Sequence, residues 1–487
     1  MRVVRRIQHR RGSVIVIVIW SVAIAAVIVG AAQVLAFRQA AMGRESIAKV
    51  EARWAARAGI EETLAVLEYH TEEPDASTAR QLYKDLELVA DGQLESGDWQ
   101  IRHVEDGVEI RGPQDEHAKL NINNIDRATL LELDSMTMDV ADAIVDWRDT
   151  DDTAGMMGAE YEFYVNRDLG YEPRNAPFRS IAELELVAGA FPKYVRGEDQ
   201  NLNGRLDPNE NDGGASEPPD DADGFLDAGW SGALTARSSG SLIGATGTDR
   251  LNLRQATPEE MQERFGVTAE QAAALAGFAK GQSAKLEMLL TQDLATLSAG
   301  GGNTRGGQTG GMSGGRAAGR GNDNQSQNQG QSLSATGRQS GRSSSGAPSG
   351  QTGNTRIQSL DQQQLRRIFQ EGTLETGAQP ILGKVNLNTA PPAVLRALLP
   401  DDPISADAIL SLRNASSSGL LAISDLLGSS RITPQSLAAI APYADTQSYV
   451  FTVTSRGRSA TTGLEVEITA VIDRSTLPAR ILEYREQ

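Results

Sequence analysis

An oxygen-rich stretch, GEDQNLNGRLDPNEND (residues 197–212), has the residue types and spacing of a metal-binding loop. With Asp199 as position one, oxygen-bearing side chains recur at positions three, five, nine and twelve, and a glycine stands at position six. Hard oxygen ligands at this spacing wrap around Ca²⁺, the seventh residue offers its backbone carbonyl, and a glutamate at position twelve binds bidentately. The predicted ligands are Asp199, Asn201, Asn203, Arg205 (through its carbonyl), Asp207 and Glu210.

Two further acidic clusters are weaker candidates for metal ligands. They comprise Asp221, Asp223 and Asp227 around Gly224, and Asp149, Asp151, Asp152 and Glu160. The flanking helices of a complete EF-hand are not evident around the first loop, because Pro208 and the glycine pair at Gly213 intervene. For all three segments the alternative is an acidic surface loop with solvated carboxylates.

Catalytic residues and a site for an organic cofactor are not predicted. The chain has no cysteine, and its four histidines are far apart and lack metalloprotease spacing. Neither a phosphate-binding P-loop nor a G-x-S-x-G nucleophile elbow is present. A net charge of −18 argues against a surface that binds the phosphates of nucleic acid. We therefore expect a protein that is not an enzyme, with calcium as its cofactor.

The amino-terminal stretch RRGSVIVIVIW opens an apolar run without charges from Val14 to Phe37. At about 1.5 Å per helical residue, this run can cross a hydrocarbon core of roughly 30 Å. Five arginines precede it, which predicts a cytoplasmic amino end and an exported remainder. A secretory signal would have a shorter apolar core followed by a small-residue cleavage motif, whereas here a charged helical pattern follows. The sequence predicts a permanent single-pass anchor.

Periodicity beyond the anchor predicts the elements that follow it. Apolar residues recur at helical spacing to about residue 72, so we expect the span and a stalk to form one helix. Alternation of apolar and charged residues predicts two strands after the stalk and three at the carboxyl end: WQIRHVE, GVEIRG, YVFTVTSRG, LEVEITAVID and ILEYRE. We expect strands from both ends to pair around a helical middle.

The helical middle contains three copies of one pattern, which open at Lys119, Arg250 and Lys384. Each copy combines a polar turn with two short helices, as in a helix-hairpin-helix unit. Units that bind DNA resemble one another in a Gly-hydrophobic-Gly hairpin whose amides approach a phosphate. Two hairpins here, LDSMTMD and LPDDPIS, place aspartates at that point, which weakens phosphate binding. We interpret the copies as structural helical pairs, with DNA binding as the alternative.

The leader resembles that of pilins and pseudopilins, because Gly12 separates basic residues from a hydrophobic helix. A type IV prepilin peptidase cuts this layout on the cytoplasmic side. The resemblance implies cleavage between Gly12 and Ser13, with Ser13 as the methylated new amino terminus. Most members of this class carry a glutamate at the fifth mature position, whereas this chain has Ile17.

Nearly the whole chain resembles the minor pseudopilin K (GspK) family of type II secretion. The resemblance is carried by the RRG leader, Ser13, Ile17, KLNINNIDRATLLEL, IVDWRDTDD, GAEYEFYVNRDLGYEPRNAPFRSIAELELVAGA and KVNLNTAPPAVLRALLP. It implies an α/β, pseudopilin-like fold, in which a long amino-terminal transmembrane helix and a small antiparallel sheet carry a large inserted helical domain. That domain would consist of helix-hairpin-helix-like (SAM-like) units and bind calcium. The copy at Arg250, the calcium-like insert and a low-complexity stretch depart from the family pattern.

The resemblance also implies a function and a location. A family member lies at the tip of a periplasmic pseudopilus, nucleates or caps the filament and supports protein export across the outer membrane. Its implied partners are minor pseudopilins I and J, the prepilin peptidase, the inner-membrane assembly platform and secreted protein substrates, without nucleic acid. It would be anchored in the inner membrane, with most of the chain in the periplasm. The alternative is a membrane-anchored helix-hairpin-helix protein of DNA uptake or envelope binding.

These patterns divide the chain into seven segments. The stretch 297–357 is rich in Gly, Ser, Gln and Asn and cannot bury enough apolar surface to fold, so it is predicted to be a disordered linker. The segments are the leader (1–12), transmembrane and stalk helix (13–72), pseudopilin strands (73–118), helical head with hairpin repeats and calcium loop (119–296), linker (297–357), second helical hairpin region (358–446) and carboxyl-terminal strands (447–487).

Overall fold

The computed structural model of the chain describes residues 12–105, 107–300, 357–377 and 381–486. Most of the predicted leader (1–11) and of the predicted linker (301–356) lies outside the described residues. The helices are α1 (Gly12–Glu72), α2 (Gln81–Leu88), α3 (Arg127–Leu130), α4 (Met138–Arg148), α5 (Tyr161–Asn166), α6 (Pro192–Val195), α7 (Gly229–Ala233), α8 (Pro258–Phe265), α9 (Ala269–Ala279), α10 (Met288–Thr291), α11 (Leu294–Gly300), α12 (Gln362–Glu371), α13 (Pro392–Leu398), α14 (Pro403–Ala415) and α15 (Pro434–Ile440).

The strands are shorter and fall at both ends of the chain and between the helices. They are β1 (Asp91–Leu94), β2 (Gly97–Glu105), β3 (Val108–Arg111), β4 (Gln114–Asp115), β5 (Leu120–Asn121), β6 (Leu234–Thr235), β7 (Leu251–Asn252), β8 (Gly372–Thr373), β9 (Val385–Asn386), β10 (Ala444–Asp445), β11 (Val450–Ser459), β12 (Glu465–Asp473) and β13 (Arg480–Glu486). Short 3-10 helices span Glu116–Ala118, Ile181–Leu186, Pro208–Glu210 and Ile423–Gly428.

Helix α1 is one continuous element of 61 residues, about 90 Å long. Among the described residues it is the one helix that is long and apolar enough to cross a membrane, and none of its most apolar window is buried within the protein. Its second half is amphipathic and buries Ala52, Ala56 and Ile60 against the sheet. The anchor and the stalk therefore form a single helix, as the periodicity predicted.

One antiparallel sheet combines strands from both ends of the chain. Its order is β1-β2-β11-β12-β13, with β3 paired to β2 and β4 paired to β11. Helix α1 crosses this sheet closely, because a Cβ on Gly457 would lie 2.0 Å from the carbonyl oxygen of Ala52. A side chain at residue 457 would therefore push the helix off the sheet. The long helix and the antiparallel sheet confirm the predicted α/β, pseudopilin-like fold.

Most of the chain lies between β4 and β11 and forms three units, which correspond to the three predicted hairpin copies. The first hairpin unit runs from β5 to β6, the second from β7 to β8 and the third from β9 to β10. Each unit is closed by a two-residue parallel pairing: β5 with β6, β7 with β8, and β9 with β10. The asparagine of each polar turn stabilises the closure. Asn121, Asn252 and Asn386 each accept the backbone N–H two residues later at 2.9 Å and donate their amide across the closure.

The second unit has a hydrophobic core of its own. Met261, Phe265, Leu275 and Ile368 belong to this cluster and are almost completely buried. The first and third units share a different, larger cluster. The copy at Arg250 is therefore a separately packed module, added to a core that the other two units build together.

The segment predicted as pseudopilin strands, residues 73–118, also contains the helix α2. Helix α2 packs on α1 through Leu86, which is 2% exposed. His70 of α1 contributes a polar link, since its Nε2 lies 2.8 Å from Asp85 Oδ2. The turn between stalk and sheet is thus closed by a short helix that strand alternation alone does not predict.

Candidate metal centres

In the loop that follows α6, the acids predicted as the first and twelfth ligands accept hydrogen bonds from the loop's own backbone. Asp199 accepts the backbone N–H groups of Asn203 at 3.0 Å and Gly204 at 2.9 Å. Glu210 accepts those of Gln200 at 2.9 Å and Asp207 at 3.0 Å. These bonds hold the first and twelfth positions of the loop against its backbone. The positive φ of +69° at Gly204 permits the sharp turn at position six.

Three of the predicted side-chain ligands of this loop contact one another. Asn201 and Asn203 each donate their Nδ2 to Asp207 Oδ2 at 2.9 Å. Asp199 and Glu210 are 3% and 2% exposed, so their carboxylates are withdrawn from water. Burial raises the pKa of Asp199 and raises that of Glu210 to about 7. Buried acids of this kind favour a nearby cation, and the ligand set of carboxylate and amide oxygens fits Ca²⁺.

The second acidic cluster combines two residues that were predicted from the sequence with one that was not. Asp146, Asp149 and Glu160 place carboxylate oxygens within 4.8 Å of one another. Asp146 lies on α4, three residues before Asp149, and this spacing was the signal that could have revealed it. Asp151 and Asp152 are exposed and lie outside this group.

Glu160 is the most unusual member of this cluster. It is 4% exposed, and within the described residues neither of its carboxylate oxygens has a hydrogen-bond donor. Burial, followed by the charge of Asp146, raises its pKa to about 7. Asp146 accepts the backbone N–H of Gly155 at 3.0 Å, and burial raises its pKa as well. A buried carboxylate without donors is costly, so this cluster also favours a cation.

The backbone at Gly158 lies close to one acid of the second cluster. A Cβ on Gly158 would lie 1.9 Å from Asp146 Oδ2, so any larger residue at this position would displace this carboxylate. Trp147, next along α4, packs edge-on against Tyr164 at 5.6 Å between ring centroids. The aromatic core thus positions α4 and α5, and with them Asp146 on α4, Asp149 directly after α4 and Glu160 directly before α5.

The third acidic cluster differs from the other two. Asp221 and Asp223 are exposed and accept the backbone N–H groups of Asp223 and Phe225. Asp227 likewise accepts the N–H of Gly229. Glu198, which was not predicted from the sequence, accepts the N–H groups of Asp221 and Asp227 with its carboxylate, both at 3.2 Å. Local turns account for these carboxylates, which remain weak candidates for ligands.

The hairpins of the second and third units cap their own helices. Thr268 accepts the N–H of Gln271 at the start of α9, and Asp402 accepts that of Ser405 in α14. Asp402 also accepts the hydroxyl of Ser436 at 2.5 Å. A carboxylate thus lies where a hairpin of the DNA-binding type would meet a phosphate. That the chain binds no nucleic acid stays a prediction.

The raised pKa of Glu160 predicts a pH dependence in calcium-free buffer. A carboxyl with a pKa of about 7 when folded and roughly 4.3 when unfolded binds more protons in the folded state between these values. The free energy of unfolding should therefore fall as pH rises through this window. Glu160→Gln should flatten this fall, as measured by urea unfolding in EDTA at several pH values. Glu162→Gln, an exposed neighbour, is the control, and equal slopes in both variants would contradict the prediction.

Comparison with known proteins supplies a family for part of the chain. Residues 118–197 match the family model of type II secretion system protein K, first domain. A chain of the GspK–GspI–GspJ complex from the enterotoxigenic Escherichia coli type 2 secretion system is similar at 11% identity and a TM-score of 0.44. The alignment covers 91% of this chain and 99% of that one. No curated protein matches the chain. The resemblance to the type II secretion K family that was inferred from the sequence is confirmed at residues 118–197, which match the model of that family.

Proposed function

We propose that the protein is the minor pseudopilin at the tip of a type II secretion pseudopilus, where it nucleates or caps the filament. The observation that carries this proposal is that α1 is one unbroken helix. Its first half is an exposed apolar segment, and its second half packs against one face of the antiparallel sheet. A helix of this kind is anchored in a membrane before assembly and can pack with equivalent helices in a filament afterwards. Prepilin peptidase would cut after Gly12 and leave this helix intact.

The absence of a carboxylate at Ile17 supports a terminal position. The family resemblance implies that in other subunits the glutamate at this place pairs with the amino terminus of a neighbour inside the apolar filament core. A carboxylate buried there without such a partner is costly. A terminal subunit has no neighbour above it to supply the amine, and the uncharged side chain of Ile17 avoids the cost.

The insertion between β4 and β11 supports the same position. All three hairpin units leave the sheet at Asp115 and return to it at Val450. A subunit stacked directly above would have to share space with this large head. The filament end is where such a head can be accommodated, and minor pseudopilins I and J are the neighbours we propose there, on the family resemblance.

We further propose that the head binds calcium, at the loop 199–210 and at the group Asp146, Asp149 and Glu160. The buried and raised-pKa acids support both sites. We place α1 in the inner membrane, together with the inner-membrane assembly platform, with the amino end of α1 on the cytoplasmic side and the head in the periplasm. The five leader arginines support this orientation. Secreted proteins are the cargo that a head at the tip would meet.

Labelling of filaments tests the tip position. The chain has no cysteine, so Ser417→Cys introduces a single reactive thiol at an exposed residue of the third unit. We expect gold coupled to this thiol to mark one end of each filament in electron micrographs. The control is an equivalent label on the major subunit, which should mark the whole length. Label spaced regularly along the shafts would refute the terminal position.

A further inference from the structure

The predicted calcium loop lies on the sheet, although it belongs to the first hairpin unit. The carbonyl oxygen of Gly204 accepts the N–H of Val104 in β2 at 2.8 Å, and that of Asn203 accepts the hydroxyl of Thr454 in β11 at 3.2 Å. Arg485 of β13 donates to the carbonyls of Asn201 and Leu202 at 3.4 Å. The loop therefore connects the inserted head to strands from both ends of the chain.

Two of the side chains predicted to bind the ion are also held by the sheet. Asn203 donates its Nδ2 to Glu467 Oε1 of β12 at 3.1 Å. Asp207 Oδ1 lies 3.3 Å from the guanidinium of Arg456 in β11, and that guanidinium is 3.1 Å from Glu467 Oε2. Glu467 thus touches position five of the loop directly and position nine through Arg456.

We infer that the calcium loop links the inserted head to the sheet, and we name this set of loop–sheet contacts the staple. Glu467 is the positioning residue that orients the calcium ligands Asn203 and Asp207. This inference rests on the proposed calcium site at 199–210. By accepting the Nδ2 of Asn203, Glu467 fixes the side-chain amide so that its oxygen remains on the loop side, where it accepts the N–H of Arg205 at 2.8 Å. By holding Arg456, Glu467 limits the competition between this guanidinium and an ion for Asp207.

The staple couples ion binding to docking of the head. The side chains of Asn203 and Asp207 each contact both the loop and the sheet. Ordering of the loop therefore reduces the conformational freedom of the contacts with the sheet, and the reverse also holds. Coupling between two binding events is reciprocal. Calcium should therefore tighten contacts between loop and sheet, and an intact sheet surface should strengthen calcium binding. A loop whose ligands were held only within the head would show neither effect.

Hydrogen exchange on the full chain in detergent tests the coupling. We expect calcium to slow exchange in the loop and at the amide of Val104, which bonds to Gly204. Asp199→Asn with Glu210→Gln should abolish both effects, although the carboxylates of Asp199 and Glu210 hydrogen-bond to the loop's own backbone and not to the described strands of the sheet. Unchanged exchange in the loop of the native protein would refute the proposed calcium site itself. Slowed exchange in the loop without any change at Val104 would refute the staple alone.

Calcium titration of sheet variants gives a second, independent measurement. Glu467→Gln combined with Thr454→Val should weaken calcium binding at the loop about tenfold or more, a typical effect of removing contacts behind the ligands. The matched control is Glu486→Gln on β13, which removes the same charge but pairs with Arg53 of α1. Equal affinities in native and double-variant protein would overturn the role of Glu467. Rescue by restoring Glu467 alone would assign the effect to that side chain.

Discussion

Replacing Gly12 with leucine is expected to abolish processing, so that the purified protein begins at Met1 and does not enter filaments. The peptidase that cuts this class acts beside a glycine at the membrane surface, and a branched side chain there blocks access to the peptide bond. Without cleavage the basic leader stays attached to the apolar helix. Five arginines cannot enter a packed, lipid-like filament core without a large cost. We therefore expect complete loss of assembly.

The measurement is the mass of the native amino terminus together with the amount of protein that sediments with filaments. Unsubstituted protein should begin at a methylated Ser13. The matched control is Gly43→Leu, the same substitution in α1 at a position where an added Cβ would meet no atom within 4 Å. It should be processed normally. A cleaved and assembled Gly12→Leu variant would refute the assignment as a pseudopilin.

Conversion of the loop acids to amides is expected to remove one bound calcium ion. Asp199→Asn with Glu210→Gln keeps acceptors for the backbone N–H groups while removing both negative charges. Calorimetric titration of the full chain in detergent should show one ion fewer than the native protein. The stabilisation by calcium should fall correspondingly, since an ion at 100 times its Kd contributes about 2.7 kcal/mol.

Two comparisons make this result specific. Asp151→Asn with Asp152→Asn changes two exposed acids outside either site and should leave the titration unchanged. In EDTA the loop variant should be at least as stable as the native protein, because it no longer buries two carboxylates without a counter-ion. Native stoichiometry in the loop variant would remove the calcium site from residues 199–210. Unfolding of the variant in EDTA would show that the acids act in folding instead.

Local patterns in the sequence were sufficient for the elements that depend on near neighbours. The apolar run from Val14 and the helical periodicity beyond it predicted α1, because 3.6-residue spacing is a property of a single helix. The alternation in YVFTVTSRG and LEVEITAVID predicted β11 and β12 for the same kind of reason. The spacing from Asp199 to Glu210 likewise predicted oxygen ligands within one short loop, and calcium binding there stays a prediction.

Only the tertiary structure decided which residues from distant segments share a site. Asp146 joins Glu160 because α4 and α5 pack on one aromatic core, and Glu467 meets Asn203 although 264 positions separate them. The second hairpin unit has its own core, which depends on how α8, α9 and α12 pack and which no repeat in the sequence reveals. Short-range periodicity specifies helices, strands and loops, whereas burial, and with it the raised pKa of Glu160, arises when separate elements exclude water together.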